Sequence, residues 1–286
     1  MIGRRALLLG GLACLGAGGP LDAAVPVAIA NRRCVVPVLL DGRKARMVLD
    51  TGAERTVVTR AAVKRLGLRL DLWVESTLRG AGGSFETHAN ADIGLATVAG
   101  VPLFQRQPGD GLSLAVTSAD LSGADGLLGA DVLRHYTLDL DFPRARLALR
   151  PAYPVAPAVE TMRLRLLWPD LLLAPVRLDG HDLTALVDTG ASASLVNARG
   201  LHRLGLTPER VRQDPAVSTM GLGGEFTAHL HRFAELGLSS FTVPEPLLLT
   251  AAVPEPAYDL TLGLDVLGRQ RVLLSYAALT LGFSPV

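Results

Sequence analysis

The chain has 286 residues, 49% apolar and 19% charged, enough apolar material for one large domain or two small ones and not a disordered composition. Its 28 basic and 27 acidic residues nearly cancel, which gives no basic stripe for nucleic acid. Two cysteines, Cys14 and Cys34, exclude a disulfide scaffold and a cysteine-ligated zinc site, and Cys34, beside Val35 and Val36, is expected as a buried strand thiol.

At the N-terminus, Arg4 and Arg5 precede an apolar run over residues 6–17. The run is shorter than the roughly 20 residues that cross a bilayer. Small residues follow at Ala23 and Ala24. Residues 1–24 therefore read as a secretory signal, compatible with a general or a twin-arginine route. An uncleaved anchor and lipidation at Cys14 are the alternatives, and no other segment is long and apolar enough to span a membrane.

The first half runs over residues 27–150. Asp41-Gly42 is a hairpin-turn dipeptide between apolar strands, and the second strand, residues 45–49, delivers Asp50-Thr51-Gly52-Ala53. Thr59 is placed to cap a short helix over residues 60–66, with Gly67 just past its end. A glycine-rich segment, Gly80-Ala81-Gly82-Gly83, comes next, followed by Leu127-Leu128-Gly129. Asp131 reads as the cap of a second short helix, and residues 137–142 and 146–149 alternate as strands. A proline-spaced connector over residues 151–160 then favours an extended conformation.

The second half, residues 161–286, repeats the first. Pro37-Val38-Leu39-Leu40-Asp41-Gly42 matches Pro175-Val176-Arg177-Leu178-Asp179-Gly180, and the same spacing carries Asp50-Thr51-Gly52-Ala53 onto Asp188-Thr189-Gly190-Ala191. At slightly different spacings Gly80-Ala81-Gly82-Gly83 matches Gly221-Leu222-Gly223-Gly224, and Gly129-Ala130-Asp131-Val132-Leu133 matches Gly263-Leu264-Asp265-Val266-Leu267. Asn197 takes the capping place of Thr59, Gly205 that of Gly67, and Asp265 that of Asp131. The expected architecture is mostly β, in two equivalent lobes, each with a short helix.

One Asp-Thr-Gly is weak, because Asp and Gly mark any turn. Two copies, each after an apolar strand and each at the same place in a repeat, are strong. A pseudo-twofold axis between the lobes brings Asp50 and Asp188 together. Two adjacent carboxylates do not both ionise cheaply and share a proton. The ionised one takes a proton from water while the protonated one donates to a substrate carbonyl, which is amide hydrolysis without a covalent intermediate. Thr51 and Thr189 are expected to hydrogen-bond across the axis, and Gly52 and Gly190 to let the backbones approach and donate N–H groups. Ala53 and Ala191 offer no hydroxyl to the ionised form, so the pair is expected to titrate less acidically than one flanked by Ser or Thr.

Asp-Thr-Gly-Ala, a Gly-x-Gly-Gly segment and an apolar-apolar-Gly segment, the last as Leu127-Leu128-Gly129 and Thr261-Leu262-Gly263, resemble the retropepsin-like aspartic proteases over nearly all of each half. The chain is similar to bacterial exported members with two such units fused. The resemblance implies pseudo-twofold-related β-barrel lobes, catalytic Asp50 and Asp188, and substrate-covering flaps at Gly80, Ala81, Gly82, Gly83 and at Gly221, Leu222, Gly223, Gly224. It also implies a polypeptide substrate in extended conformation, no cofactor or metal, a periplasmic location, and a monomer sufficient for catalysis, with membrane contact only through an uncleaved N-terminal segment. Flap N–H groups of Ala81 and Leu222 are expected to reach substrate carbonyls. Viral members usually carry Arg after the apolar-apolar-Gly segment, where Ala130 and Leu264 stand here, which puts the lobe-to-lobe contacts in question. Glu54 and Arg55 are matched by Ser192 and Ala193, so the two halves of the cleft are unequal. A non-catalytic peptide- or envelope-binding module on the same fold is the alternative. His229 and His231 alternate on one segment but lack a third ligand and read as surface residues. The sequence has no nucleophile-elbow serine, P-loop or dinucleotide fingerprint.

Overall fold

The computed structural model describes residues 24–30, 32–79, 85–103, 112–151, 161–167, 169–221, 224–239, 241–254 and 257–284. Residues 1–23, which make up most of the expected signal, residues 152–160 of the connector, Gly80, Ala81, Gly82, Gly83, Leu222 and Gly223 lie outside the described residues. Among the described residues no helix is long and apolar enough to cross a membrane.

Each half forms a 10-stranded, barrel-like sheet, and the two sheets follow the same strand order element for element. In each, a hairpin supplies the central pair of strands: Arg33–Leu40 with Arg43–Leu49 in the first lobe, Leu171–Leu178 with His181–Val187 in the second. The turns work because both central residues take left-handed backbone. Asp41 and Gly42 have φ of 47° and 76°, and Asp179 and Gly180 have 46° and 80°. This geometry matches the twist of the flanking strands. Alternation sends Val36, Val38 and Leu40 inward and leaves Pro37 and Leu39 outside. Cys34 is fully buried and burial pushes its thiol up to about 12, so it packs as a small apolar residue.

The predicted caps form. Thr59 Oγ1 accepts from the Ala62 N–H at 3.0 Å at the start of helix Arg60–Leu66, which ends on Gly67 at φ 56°. Asn197 accepts from the Gly200 N–H at 3.0 Å at the start of Ala198–Arg203.

A third, six-stranded sheet joins the lobes. Its order is Val25–Pro26, Arg146–Pro151, Tyr136–Asp141, Arg271–Ser275, Thr280–Ser284 and Thr161–Arg163, three strands from each half. The junction is the antiparallel pair Tyr136–Asp141 and Arg271–Ser275, with Asp139 opposite Leu273. Leu138, Leu140, Leu147, Leu274 and Leu281 are fully buried, and one continuous apolar core runs through both lobes.

Ionic contacts clamp this junction. Arg271 Nε and Nη2 donate to Asp139 Oδ1 and Oδ2 at 2.8 and 2.7 Å, and Arg150 Nη2 adds a bond at 3.3 Å. Arg134 Nη1, just after the first lobe's second helix, reaches both oxygens of buried Asp170 at 2.9 Å in the second lobe. The shared sheet, the continuous core and these ion pairs join the lobes, and Ala130 and Leu264 supply no arginine to that contact. Burial alone would raise the Asp139 carboxyl, but the hydrogen bond and charge of Arg271, helped by Arg150, outweigh it and hold the group below its ordinary value. Arg271→Leu is expected to lower the unfolding free energy by about 1–3 kcal/mol, because Arg271 is half-exposed and Arg150 remains to pair Asp139. The pair's contribution is full above the ordinary Asp value of about 3.9 and is lost as pH falls through the lowered native value. The gap between variant and wild type, read by urea unfolding, should therefore shrink at acidic pH.

Candidate active site

Strand Arg43–Leu49 ends at Asp50, and the chain turns through Thr51, Gly52 and Ala53 before Val57–Thr59. Strand Gly126–Leu128 passes between these two, parallel to the first and antiparallel to the second. It ties the loop down: the Asp50 N–H donates to the Leu128 carbonyl at 3.0 Å, and the Ala130 N–H to the Ala53 carbonyl at 2.8 Å. The second lobe repeats this, Asp188 N–H to Leu262 at 3.0 Å and Leu264 N–H to Ala191 at 2.9 Å. A Cβ on Gly129 would fall within 3.0 Å of the Arg55 backbone, and one on Gly263 within 3.0 Å of the Ala193 backbone. The apolar-apolar-Gly segment thus ends in glycine because strand and loop cross there.

Asp131 and Asp265 correct the sequence reading. The helices Ala130–Leu133 and Leu264–Leu267 start at Gly129 and Gly263, neither with a side-chain cap. Instead Asp131 Oδ1 accepts from the Thr56 N–H at 2.9 Å and the Thr56 hydroxyl at 2.7 Å, and Asp265 Oδ1 does the same for Ser194 at 2.9 and 2.7 Å. Those hydroxyls in turn accept from the N–H groups of Gly129 at 3.0 Å and Gly263 at 2.9 Å. The two aspartates anchor the far ends of the Asp-Thr-Gly loops.

The loops meet at the pseudo-twofold axis. Thr51 Oγ1 donates to the Val187 carbonyl at 2.7 Å and accepts from the Thr189 N–H at 3.1 Å. Thr189 Oγ1 donates to the Leu49 carbonyl at 2.8 Å and accepts from the Thr51 N–H at 3.1 Å. Both threonines are buried. A Cβ on Gly52 would lie within 3.0 Å of the Asp188 carboxyl, and one on Gly190 within 3.0 Å of the Asp50 carboxyl. The absence of side chains there brings the two carboxyls together. Each is cradled by its own loop: Asp50 Oδ1 accepts from Gly52 and Ala53 at 3.0 and 2.9 Å, and Asp188 Oδ1 from Gly190 and Ala191 at 2.8 and 3.0 Å.

Burial raises Asp50 well above the ordinary carboxyl value, and the charge of Asp188 and a hydrogen bond to it add to the rise. Burial also raises Asp188, against the N–H groups of Ala191 and Gly190, the hydrogen bond from Asp50 and the positive charge of Arg33, which lower it. The pair therefore holds one proton into a range where isolated carboxyls have lost theirs.

Two groups near the pair escape sequence motifs. Arg33 Nη1 is sealed from solvent and has no hydrogen-bond partner among the described residues, and neither has the buried Tyr276 hydroxyl. Burial raises the Tyr276 phenol, and the charges of Asp50, Asp170 and Asp188 raise it further. Aligning the repeats puts Phe142 opposite Tyr276 and Leu171 opposite Arg33. A search for positions where the two repeats differ would have found both residues.

The predicted flaps fall on hairpins, Arg69–Arg79 with Phe85–Ile93 and Ala216–Gly221 with Gly224–Arg232, the latter closing on the pair Gly221 and Gly224. The tip residues Gly80, Ala81, Gly82, Gly83, Leu222 and Gly223 lie outside the described residues. At the base of the second hairpin His229 and His231 both meet Asp214, through Nδ1 to its carbonyl at 3.0 Å and Nδ1 to Oδ2 at 2.6 Å. They are partly buried tethers, not the surface residues the sequence suggested, and among the described residues no group of three or more potential ligands could hold a metal. A cavity of about 640 Å³, lined by Pro37, Leu39, Lys44 and Arg65, opens at the far end of the first hairpin from Asp50 and has no part in this arrangement.

Thr51→Ala should leave the Thr189 N–H and the Val187 carbonyl without partners in a buried place, at about 1–3 kcal/mol for each orphaned group. Thr51→Ser keeps the hydroxyl and should recover most of that loss. Denaturant midpoints of the three proteins check this.

An aspartyl protease family model matches residues 36–132 and, a second time, residues 174–266. The solved structure of an aspartic proteinase from Irpex lacteus is similar at 13% identity, with a TM-score of 0.59, covering 93% of this chain and 97% of that one. No curated protein sequence matches the chain. With both matches spanning the two Asp-Thr-Gly loops, and with the fold in agreement, the chain belongs to the aspartyl protease family.

Proposed function

We propose that the protein is an aspartic endopeptidase that hydrolyses peptide bonds in extended segments of polypeptide. The observation that carries this reading is the pair itself: two carboxyls held at one axis by matching loops, each cradled by two N–H groups, with burial and their mutual charge raising Asp50 well above its ordinary value.

The chemistry follows from the proton that such a pair keeps. A water between the carboxyls gives a proton to ionised Asp188 as its oxygen attacks the scissile carbonyl carbon, and Asp50 donates its proton to the carbonyl oxygen. The product of this step is a neutral gem-diol. In the second step Asp188 passes its proton to the amide nitrogen, the C–N bond breaks, and Asp50 takes back a proton as the carbonyl re-forms. The sum is one water consumed and one amide bond cleaved, with no covalent intermediate and no metal. In this reading the two hairpins cover an extended peptide and exclude bulk water. One chain carries both halves of the pair, so a monomer suffices. Export through the N-terminal segment, with a periplasmic site of action, completes the proposal; Arg4, Arg5, the apolar run and Ala23-Ala24 support it.

The purified protein should cut a complex peptide mixture between about pH 4 and 8, with cut sites read by mass spectrometry. Activity should fall as pH rises through the higher of the pair's two titrations, because the shared proton is then lost. Asp50→Asn and Asp188→Asn should each abolish every cut, a drop of several orders of magnitude in kcat. Cuts that persist in either variant, or their absence from wild type at every pH, would overturn the reading and favour a peptide-binding module.

A further inference from the structure

The lobes are mirrored almost strand for strand, so a charged residue on one side only stands out. Arg33 is such a residue. It opens strand Arg33–Leu40, whose register with Arg43–Leu49 pairs Val35 with Val48. That ladder ends at this pair, and continuing its register by two residues would set Arg33 level with Asp50. In the second lobe the ladder ends at Leu173 with Leu186, and the same step would set Leu171 level with Asp188. Leu171 is buried and neutral, whereas Arg33 is partly exposed and permanently charged.

Opposed residues share a sheet face, so Arg33 follows the side of Val35 and Val48. Those two belong to a small apolar cluster with Ala53 and Val57 at the Asp50 loop, separate from the main core. From there its charge reaches across the axis to Asp188. Its Nη1 is withdrawn from water with no acceptor among the described residues. The loop beyond Asp188 carries Ser192 and Ala193, where the loop beyond Asp50 carries Glu54 and Arg55, so that loop offers Arg33 no carboxylate besides Asp188 itself. One nitrogen withdrawn from water without a partner carries a cost, and the rest of the group is partly exposed, so a carboxylate arriving in the cleft meets it with charge-assisted, bidentate geometry.

We propose that Arg33 is a specificity-determining residue that receives an acidic side chain of the peptide substrate, on one side of the scissile bond only. The proposal rests on the proteolytic reading above and names the substrate class of that site: extended peptides with an Asp or Glu at one fixed subsite. The mirrored subsite, at Leu171, is apolar.

The test uses matched peptides that differ only by Glu or Gln at each subsite in turn, at about pH 6, where a peptide glutamate is ionised. Wild type should favour Glu over Gln at one subsite by roughly tenfold or more in kcat/KM. In Arg33→Leu, whose side chain the mirrored position already accommodates, that ratio should fall to within about twofold of unity, and in Arg33→Gln likewise. Leu171→Arg should create a second acidic preference on the opposite side of the scissile bond. A Glu-to-Gln ratio that is the same in wild type and Arg33→Leu overturns the proposal. Binding of the same peptides to the Asp50→Asn, Asp188→Asn double variant, read by fluorescence anisotropy, separates this proposal from the proteolytic reading. Arg33-dependent preference for Glu in binding without any cleavage by wild type would sustain Arg33 and sink the protease. Cleavage without such preference would do the reverse, and neither would overturn both.

Discussion

The reciprocal hydrogen bonds of Thr51 and Thr189 are the constraint on which the rest of the molecule depends. Each hydroxyl donates to a carbonyl of the opposite lobe and accepts an N–H from it, so neither loop has its polar groups satisfied without the other. In a buried place an unsatisfied backbone group is expensive, which makes the two loops one unit. The six-stranded sheet then follows as the joint that holds the lobes in the register this unit requires, and the arginine clamps on Asp139 and Asp170 brace that joint.

Bringing two carboxyls to the axis costs free energy, and the structure shows how that cost is met. Glycines at 52 and 190 leave no Cβ between them, four N–H groups stabilise whatever negative charge the pair carries, and the raised carboxyls keep a proton that spares the second charge. The anchors Asp131 and Asp265 keep the loops from relaxing by binding Thr56 and Ser194. They are ionisable residues used for position. Local sequence pointed to helix caps because an acidic residue in a first helical turn has that habit. The competing partner, a hydroxyl some 70 residues earlier in each lobe, is 75 or 71 positions away in the chain.

Symmetry organises the fold, and its breaks carry the individuality of the protein. Arg33 against Leu171, Tyr276 against Phe142, and Glu54 against Ser192 all lie on or near the loops, while the hairpins, caps and crossing strands are duplicated. A duplicated scaffold fixes the geometry of a two-carboxylate site. Only unduplicated residues give the cleft a direction.

The sequence by itself determined the repeat, the Asp-Gly hairpins, the Thr59 and Asn197 caps and the mirrored placement of Asp50 and Asp188, because each is written in short spacings or in periodic burial. The mostly β architecture of two lobes followed from those same signals. What the tertiary structure alone decided involves partners far apart in the chain. Arg134 and Arg271 pair with Asp170 and Asp139 across the lobes, His229 and His231 are drawn onto Asp214, and Nη1 of Arg33 is left without a partner among the described residues while its charge acts on Asp188. None of these has a local signature, since an ion pair or an orphaned charge depends on which strands come to lie side by side, and that is set by the packing of the whole core.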